Sequence, residues 1–182
     1  MRRKENLAIF IWNMPCNKNV IFAMIIGTSS AIGLMLAKKY TNRELELKEI
    51  KNALNMFENK IKFTYEDIPT VFKDISKKIN GNVGNIFKNA SEKMQNMQAG
   101  EAWEYALENT YTSLKKADID IIKGLGRMLG KTDLSGQISE IKLVNNFIDA
   151  QIEDAKQEKD KNYKMYKTLW IVVGATIVII LA

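Results

Sequence analysis

The sequence predicts an all-α protein: a cytoplasmic helical bundle of about six helices, flanked by an N-terminal and a C-terminal transmembrane helix. Two uncharged apolar runs, residues 20–37 and 169–182, bracket a polar region of 131 residues. Within that region apolar residues recur every three or four positions, and no stretch alternates with the period of two that is typical of strands. The predicted organisation is an extension at residues 1–19, a transmembrane helix at 20–37, a cytoplasmic bundle at 38–168 and a membrane segment at 169–182.

The first apolar run has the length of a membrane-spanning helix. Its 18 residues carry no charge, and a helix of that length extends about 27 Å, close to the roughly 30 Å hydrocarbon core of a bilayer. The fifteen residues before it contain one base and the fifteen after it contain five, which predicts that the domain following it is cytoplasmic. The alternatives are a buried core helix and a cleaved signal peptide.

The second apolar run is shorter, with 14 residues, or about 21 Å as a helix. It spans the bilayer if Lys167 snorkels to the interface or if the bilayer thins locally. Otherwise it lies in the interface or packs on the first run. Small residues recur every four positions in the first run, at Ala23, Gly27 and Ala31. This spacing lets helices approach closely and makes these residues candidates for helix packing or self-association.

The composition excludes several classes of function. The chain has no histidine and one cysteine, Cys16, which excludes Ser-His-Asp and Cys-His catalysis and zinc sites built from histidines or several cysteines. Residues 38–168 contain 23 basic and 20 acidic side chains, and the local basic excess adjoins the apolar runs. This pattern favours attraction to anionic lipid over a nucleic-acid surface. We expect no cofactor, no metal and no catalytic residue.

Each helix of the domain has its own apolar stripe. The predicted helices cover residues 42–62, 68–79, 83–94, 102–107 and 118–129, and a last helix begins at Thr132 or Asp133 and continues through residue 182. Asp67 or the residue beside it is predicted to cap the second helix, with Pro69 near its first turn. Trp103 is predicted to be a core anchor rather than part of a ligand site.

The sequence GLGRMLGKT, residues 124–132, has a partial likeness to a phosphate-binding loop. The motif G-x-x-x-x-G-K-[ST] requires glycine at position 125, where this chain has Leu125, and a strand should precede it. Gly124 and Gly126 instead indicate the close approach of another helix, and Gly130 fits the left-handed residue after a helix end. A nucleotide-handling enzyme that uses Gly130, Lys131 and Thr132 is an alternative function.

Several motifs together resemble the stage III sporulation protein AB family of endospore-forming bacteria. They include the first apolar run with its internal glycines, the Arg43-x-Leu45 start of the domain and the Ala102–Trp103 pair. The ending, MYKTLWIVVGATIVIILA, is also similar, although Trp170 replaces a usual glycine, and residues 1–19 depart from the family. The most specific likeness is to a family pattern that reads LGxxLGxxDxxxQ, matched here by Leu125, Gly126, Leu129, Gly130, Asp133 and Gln137.

The resemblance implies a non-enzymatic membrane platform. The family is similar to the cytoplasmic helical domain of type II secretion F proteins, and it belongs to a channel-like, secretion-like apparatus that joins mother cell and forespore. The resemblance places this chain in the mother-cell membrane around the forespore. There it would dock a cytoplasmic secretion-type ATPase, stage III sporulation protein AA, beside other stage III A-operon membrane proteins. A membrane-tethered adaptor unrelated to sporulation is a second alternative.

The candidate partner-contact residues cluster at the turn after the fifth domain helix. Gly126 and Gly130 would shape this turn. The alternative is that all of these residues only cap and close it. The candidates for contact are Arg127, Lys131, Asp133 and Gln137.

Overall fold

Regular structure in the described part of the chain is entirely helical. The computed structural model describes the backbone of residues 18–64, 66–131 and 133–181, and the side chains of residues 27, 38–64, 66–131, 133–165 and 168–169. The predicted all-α class with six helices is confirmed for these residues. The elements are α1 (Lys18–Phe63), α2 (Ile68–Lys78), α3 (Gly81–Lys93), α4 (Ala99–Asn109), α5 (Lys116–Lys123), a 3-10 helix (Gly124–Arg127) and α6 (Leu134–Leu181).

A boundary between Ala37 and Lys38 separates two compact units. No helix in the described part of the chain combines the length and the apolar character that a membrane span requires. The side chains of residues 20–26, 28–37 and 170–182, on which both predicted membrane segments depend, lie outside the described residues, as does most of the extension at 1–19. The membrane segments therefore stay predictions.

Short polar side chains set two of the helix starts, as the sequence predicts. Asp67 is the N-cap of α2, where its Oδ2 accepts the backbone N–H of Thr70 at 3.3 Å, and Pro69 lies in the first turn. Hydrogen bonding to the side chain of Thr70 and, to a lesser extent, to this backbone N–H lowers the pKa of Asp67. Asp133 Oδ1 accepts the backbone N–H of Gly136 at 2.9 Å at the start of α6. Each cap satisfies a backbone donor that the helix itself leaves unpaired.

Four aromatic rings form the centre of the core in the unit Lys38–Ala182. Phe57 of α1, Phe72 of α2, Phe87 of α3 and Trp103 of α4 are all fully buried. Phe72 lies 5.1 Å from Phe57, 5.0 Å from Phe87 and 5.5 Å from Trp103 between ring centroids, at edge-to-face angles. Trp103 Nε1 donates to the carbonyl of Ile122 at 2.9 Å. The predicted role of Trp103 as a core anchor is confirmed, because its one polar atom is paired inside the bundle.

The long helices α1 and α6 run antiparallel. As residue numbers rise along α1, the numbers of their partners on α6 fall. Arg43 donates to Glu158, Lys51 pairs with Asp149, and Asn55 accepts from Asn145. The predicted single helix from the last turn to the end of the chain is confirmed over the 48 residues of α6. By this register Lys38 lies level with about residues 162–165, and Lys39 with about residues 161–164.

A buried ion cluster joins α1, α5 and α6. Arg43 is 2% exposed and Asp118 is 0% exposed. Arg43 donates from Nε and Nη2 to the two oxygens of Asp118, at 2.8 and 2.9 Å, and from Nη1 to Asp154 at 2.9 Å and Glu158 at 2.7 Å. Hydrogen bonds to Asp118 are the main reason that the pKa of Arg43 is raised. The second role of Asp118 is to accept the backbone N–H of Lys115, which fixes the start of α5.

Two glutamates beside Arg43 are also buried. Glu44 accepts from Lys48 and Lys159, at 2.6 Å each. Glu46 accepts from the side chain of Asn82 and from the backbone N–H of Ser113, at 2.7 Å each, so it ties α1 to α3 and to the connection before α5. Leu45, between them, is 52% exposed. The start of the domain thus reverses the usual rule of apolar residues inside and charges outside.

Two predicted boundaries differ from the structure. Residues 118–129 were expected to form one helix, but α5 ends at Lys123 and the chain tightens into the 3-10 turn. The third helix was expected to begin at residue 83, but α3 begins at Gly81, whose φ is 78°. At Gly81 the absence of a Cβ permits the positive φ.

Replacing Arg43 by alanine should destabilise the bundle by about 3–5 kcal/mol, because it leaves the carboxylate of Asp118 buried without its partner. Thermal or urea unfolding of the full-length chain in mild detergent, followed by circular dichroism, measures this loss. Lys51→Ala is the control: it removes the exposed pair with Asp149 and should change stability by less than about 1 kcal/mol. Equal effects of the two variants would contradict the structural role of the Arg43 cluster.

The stability of the bundle should fall in acid partly through Glu44. Hydrogen bonds from Lys159 and Lys48 lower the pKa of Glu44 below its ordinary value of 4.5. The stabilisation from this ionised group is therefore complete above about pH 4.5 and is lost as the pH falls through the lowered pKa. Glu44→Gln should flatten the decline in unfolding free energy below pH 4.5, whereas Glu92→Gln, at an exposed site, should leave it unchanged.

Candidate functional site

The turn from the 3-10 helix to α6 is held by its own backbone and by two buried leucines. The N–H of Met128 donates to the carbonyl of Leu125, and the N–H of Lys131 to that of Met128, both at 3.2 Å. Gly130 has φ of 70°, the left-handed conformation that the sequence predicts for this position. Leu125 and Leu129 are 1% and 2% exposed. The turn is therefore anchored in the core at two points, and Arg127 between them is exposed.

The backbone of this turn lies directly against the start of α4. A Cβ added to Gly100 would lie 2.2 Å from the carbonyl oxygen of Gly126, and one added to Gly126 would lie 3.1 Å from the carbonyl oxygen of Gly100. The predicted close approach of another helix is thus confirmed at Gly126. Gly100 is the second residue of α4 and is buried. Gly124, by contrast, has room for a Cβ.

The six candidate residues differ in their burial and in their role at the turn. Gly126 is buried and Gly130 sets the left-handed bend, while Asp133 caps α6 and is itself exposed. Arg127 and Lys131 are exposed, and neither side chain has an ion pair or hydrogen bond within the described part of the chain. Gln137 is half-buried.

Arg127 lies at a shallow groove between α5 and α6 with a volume of about 220 Å³. Leu143 and Phe147 of α6 line it and are 47% and 51% exposed. Asp120 and Glu140 flank these apolar side chains. The arrangement offers a partner an apolar surface beside a cation that has no ion-pair partner among the described residues.

Sequence reasoning missed Leu143 and Phe147. They are four residues apart on α6 and lie outside the apolar stripe that contains Ile141, Val144 and Ile148, which are 0–2% exposed. The sequence did contain a signal for this surface: two large apolar residues four positions apart that do not belong to the buried stripe of the helix.

The phosphate-loop alternative lacks the required context. The segment before the glycines is the helix α5, not a strand, and the carbonyl of Gly126 faces Gly100. A phosphate loop needs its backbone N–H groups open toward the ligand, after a strand.

The candidate packing residues of the first apolar run are only partly described. Gly27 is exposed, and a Cβ placed there would have no neighbour within 4 Å. The side chains of Ala23 and Ala31 lie outside the described residues. Packing through this stripe stays a prediction.

Comparison with known proteins identifies the family. The family model of stage III sporulation protein AB matches residues 18–182. The chain belongs to the stage III sporulation protein AB family. The SpoIIIAB of Bacillus subtilis (strain 168) is 29% identical over 161 residues, which cover 86% of this chain and 94% of that protein. A solved structure of SpoIIIAB matches with a TM-score of 0.61 and 27% identity, and covers 66% of this chain and 98% of its own.

Gly100→Ala should destabilise the bundle by about 1–3 kcal/mol, because the new methyl group would have to displace the backbone of the turn. Gly124→Ala is the matched control, since its Cβ would lie 3.7 Å from Glu140 Oε1 in ordinary contact. It should be neutral or should stabilise by up to about 1 kcal/mol through helix propensity. Unfolding curves of both variants test this pair, and an unperturbed Gly100→Ala would contradict the close approach of the two backbones.

Proposed function

We propose that this chain is a non-enzymatic membrane platform of endospore formation, which acts in the secretion-like channel between mother cell and forespore. The observation that carries the proposal is the family match over residues 18–182. The second alternative, an adaptor unrelated to sporulation, gains no support from that match. The bundle would be the cytoplasmic part of the platform, in the mother cell, and would dock the secretion-type ATPase stage III sporulation protein AA and other stage III A-operon membrane proteins.

The register of α1 and α6 supports a two-anchor topology. It puts Lys38 level with about residues 162–165, so the chain enters the bundle at the same end at which α6 leaves it. Residues 20–37 and 169–182 adjoin that end in sequence. Two apolar segments beside one end can insert into one bilayer, and the lysines next to both favour the cytoplasmic side for the bundle.

The groove beside Arg127 is the docking face that fits this role. Interfaces are enriched in arginine and large apolar residues, and a few such residues supply most of the binding energy. Arg127, Leu143 and Phe147 provide that combination. The contact between Gly100 and Gly126 holds the turn that carries Arg127 against α4, so little order would have to be gained when a partner binds.

Arg127→Ala should weaken capture of the ATPase by roughly tenfold or more, because the exposed guanidinium is the charged centre of the proposed contact. The measurement is quantitative co-purification of the ATPase with the full-length chain, in parallel with thermal unfolding. Lys78→Ala is the control, since it removes an exposed cation of α2 that has no ion pair among the described residues. Undiminished capture by a stably folded Arg127→Ala protein would overturn this docking face.

A further inference from the structure

One end of the unit Lys38–Ala182 carries a group of lysines without ion-pair partners among the described residues. All five side chains are exposed. We refer to them as the lysine collar: Lys38 and Lys39 of α1, and Lys156, Lys161 and Lys164 of α6.

The five lysines of the collar lie close together because hydrogen bonds fix the register of α1 and α6 at this end. Arg43 bonds Glu158 at 2.7 Å, and Glu44 accepts from Lys159 at 2.6 Å. Continuing this register toward the start of α1 brings Lys38 level with about residues 163–165 and Lys39 with about 162–164, beside Lys164. The five ammonium groups therefore lie around one end of a helix pair rather than scattered over the bundle.

Internal ion pairs take up most of the carboxylates near the collar. Glu44 is buried between Lys48 and Lys159. Glu158 pairs with Arg43 and Lys115. Within residues 38–44 and 156–165, Asp160 is the one exposed carboxylate. The charge exposed by these residues is therefore mainly positive, with the exposed Glu153 and Asp154 next to Lys156 on α6, whereas residues 38–168 as a whole have a net charge of +3.

Exposed apolar side chains lie beside the collar. Tyr163 is 70% exposed, Met165 is 49% exposed and Leu169 is 52% exposed. A surface that presents ammonium groups next to apolar and aromatic side chains matches the headgroup layer of a membrane, where phosphates adjoin hydrocarbon. Nucleic acid offers phosphate but no apolar layer to cover Met165 and Leu169.

We propose that the lysine collar binds the phosphates of anionic phospholipids at the cytoplasmic face of the membrane, and so selects anionic over zwitterionic lipid around the protein. This inference rests on the membrane location given under Proposed function. Each lysine near an anionic surface contributes attraction that falls off within about 10 Å at 0.1 M salt. Selection for anionic lipid should therefore weaken as the salt concentration rises.

The test uses the full-length chain reconstituted into phosphatidylcholine vesicles that contain trace spin-labelled phosphatidylglycerol or spin-labelled phosphatidylcholine. The fraction of each label that is motionally restricted by the protein gives their relative association. We expect a preference of at least about fivefold for phosphatidylglycerol at low salt, which is the effect of a single lysine. The variant with Lys38, Lys39, Lys161 and Lys164 changed to glutamine should lose the preference.

The matched control changes four exposed lysines elsewhere, Lys73, Lys78, Lys88 and Lys116, to glutamine, with the same change in net charge. It should keep the preference for phosphatidylglycerol. Equal association of the two labels with the wild-type chain, or an equal loss of the preference in both variants, would contradict the proposal that the collar selects anionic lipid. Displacement of the phosphatidylglycerol label by duplex DNA would assign the collar to nucleic acid instead. Failure of the wild-type chain to insert into vesicles would contradict the membrane platform itself, a separate result.

Discussion

The ion pair between Arg43 and Asp118 is the constraint on which the arrangement of the helices depends. Its two hydrogen bonds connect the start of the first domain helix to the start of α5, and the other guanidinium donors reach Asp154 and Glu158 on α6. A buried charge is tolerated only with nearly all of its donors satisfied. Because the guanidinium of this α1 residue bonds both α5 and α6, it fixes the register of α1 and α6 together with the position of α5.

The position of α5 in turn determines where the turn before α6 lies. Asp118 holds the start of α5, Ile122 accepts from the buried Trp103, and the chain then tightens so that Gly126 lies against Gly100. The exposed Arg127 thus lies between two buried residues of the turn, Gly126 and Leu129. In the proposed docking role this rigidity would favour binding, since a preorganised surface loses little entropy when a partner binds.

The helical stripes, and with them most of the fold, could be predicted because they depend on local periodicity. The caps at Asp67 and Asp133 were equally accessible, since a short acidic side chain before an apolar stripe acts within three residues. The burial of Arg43, Glu44 and Glu46 could not be predicted in this way. Their partners lie 75, 115 and 67 positions away along the chain, and a pattern argument assigns charged residues to the outside. The early end of α5 was missed for a related reason: Gly100, remote in sequence, is the neighbour that makes the tighter turn favourable.

The unbroken length of α6 has a mechanical consequence. Phe147, beside the proposed docking groove, and Leu169, at the start of the final apolar stretch, belong to the same helix and are separated by about 33 Å along its axis. A hydrogen-bonded helix without proline or an internal break resists stretching and carries a push or pull along its axis. In the proposed platform role, a displacement of the groove would therefore be transmitted along α6 to Leu169, with no hinge in between to absorb it.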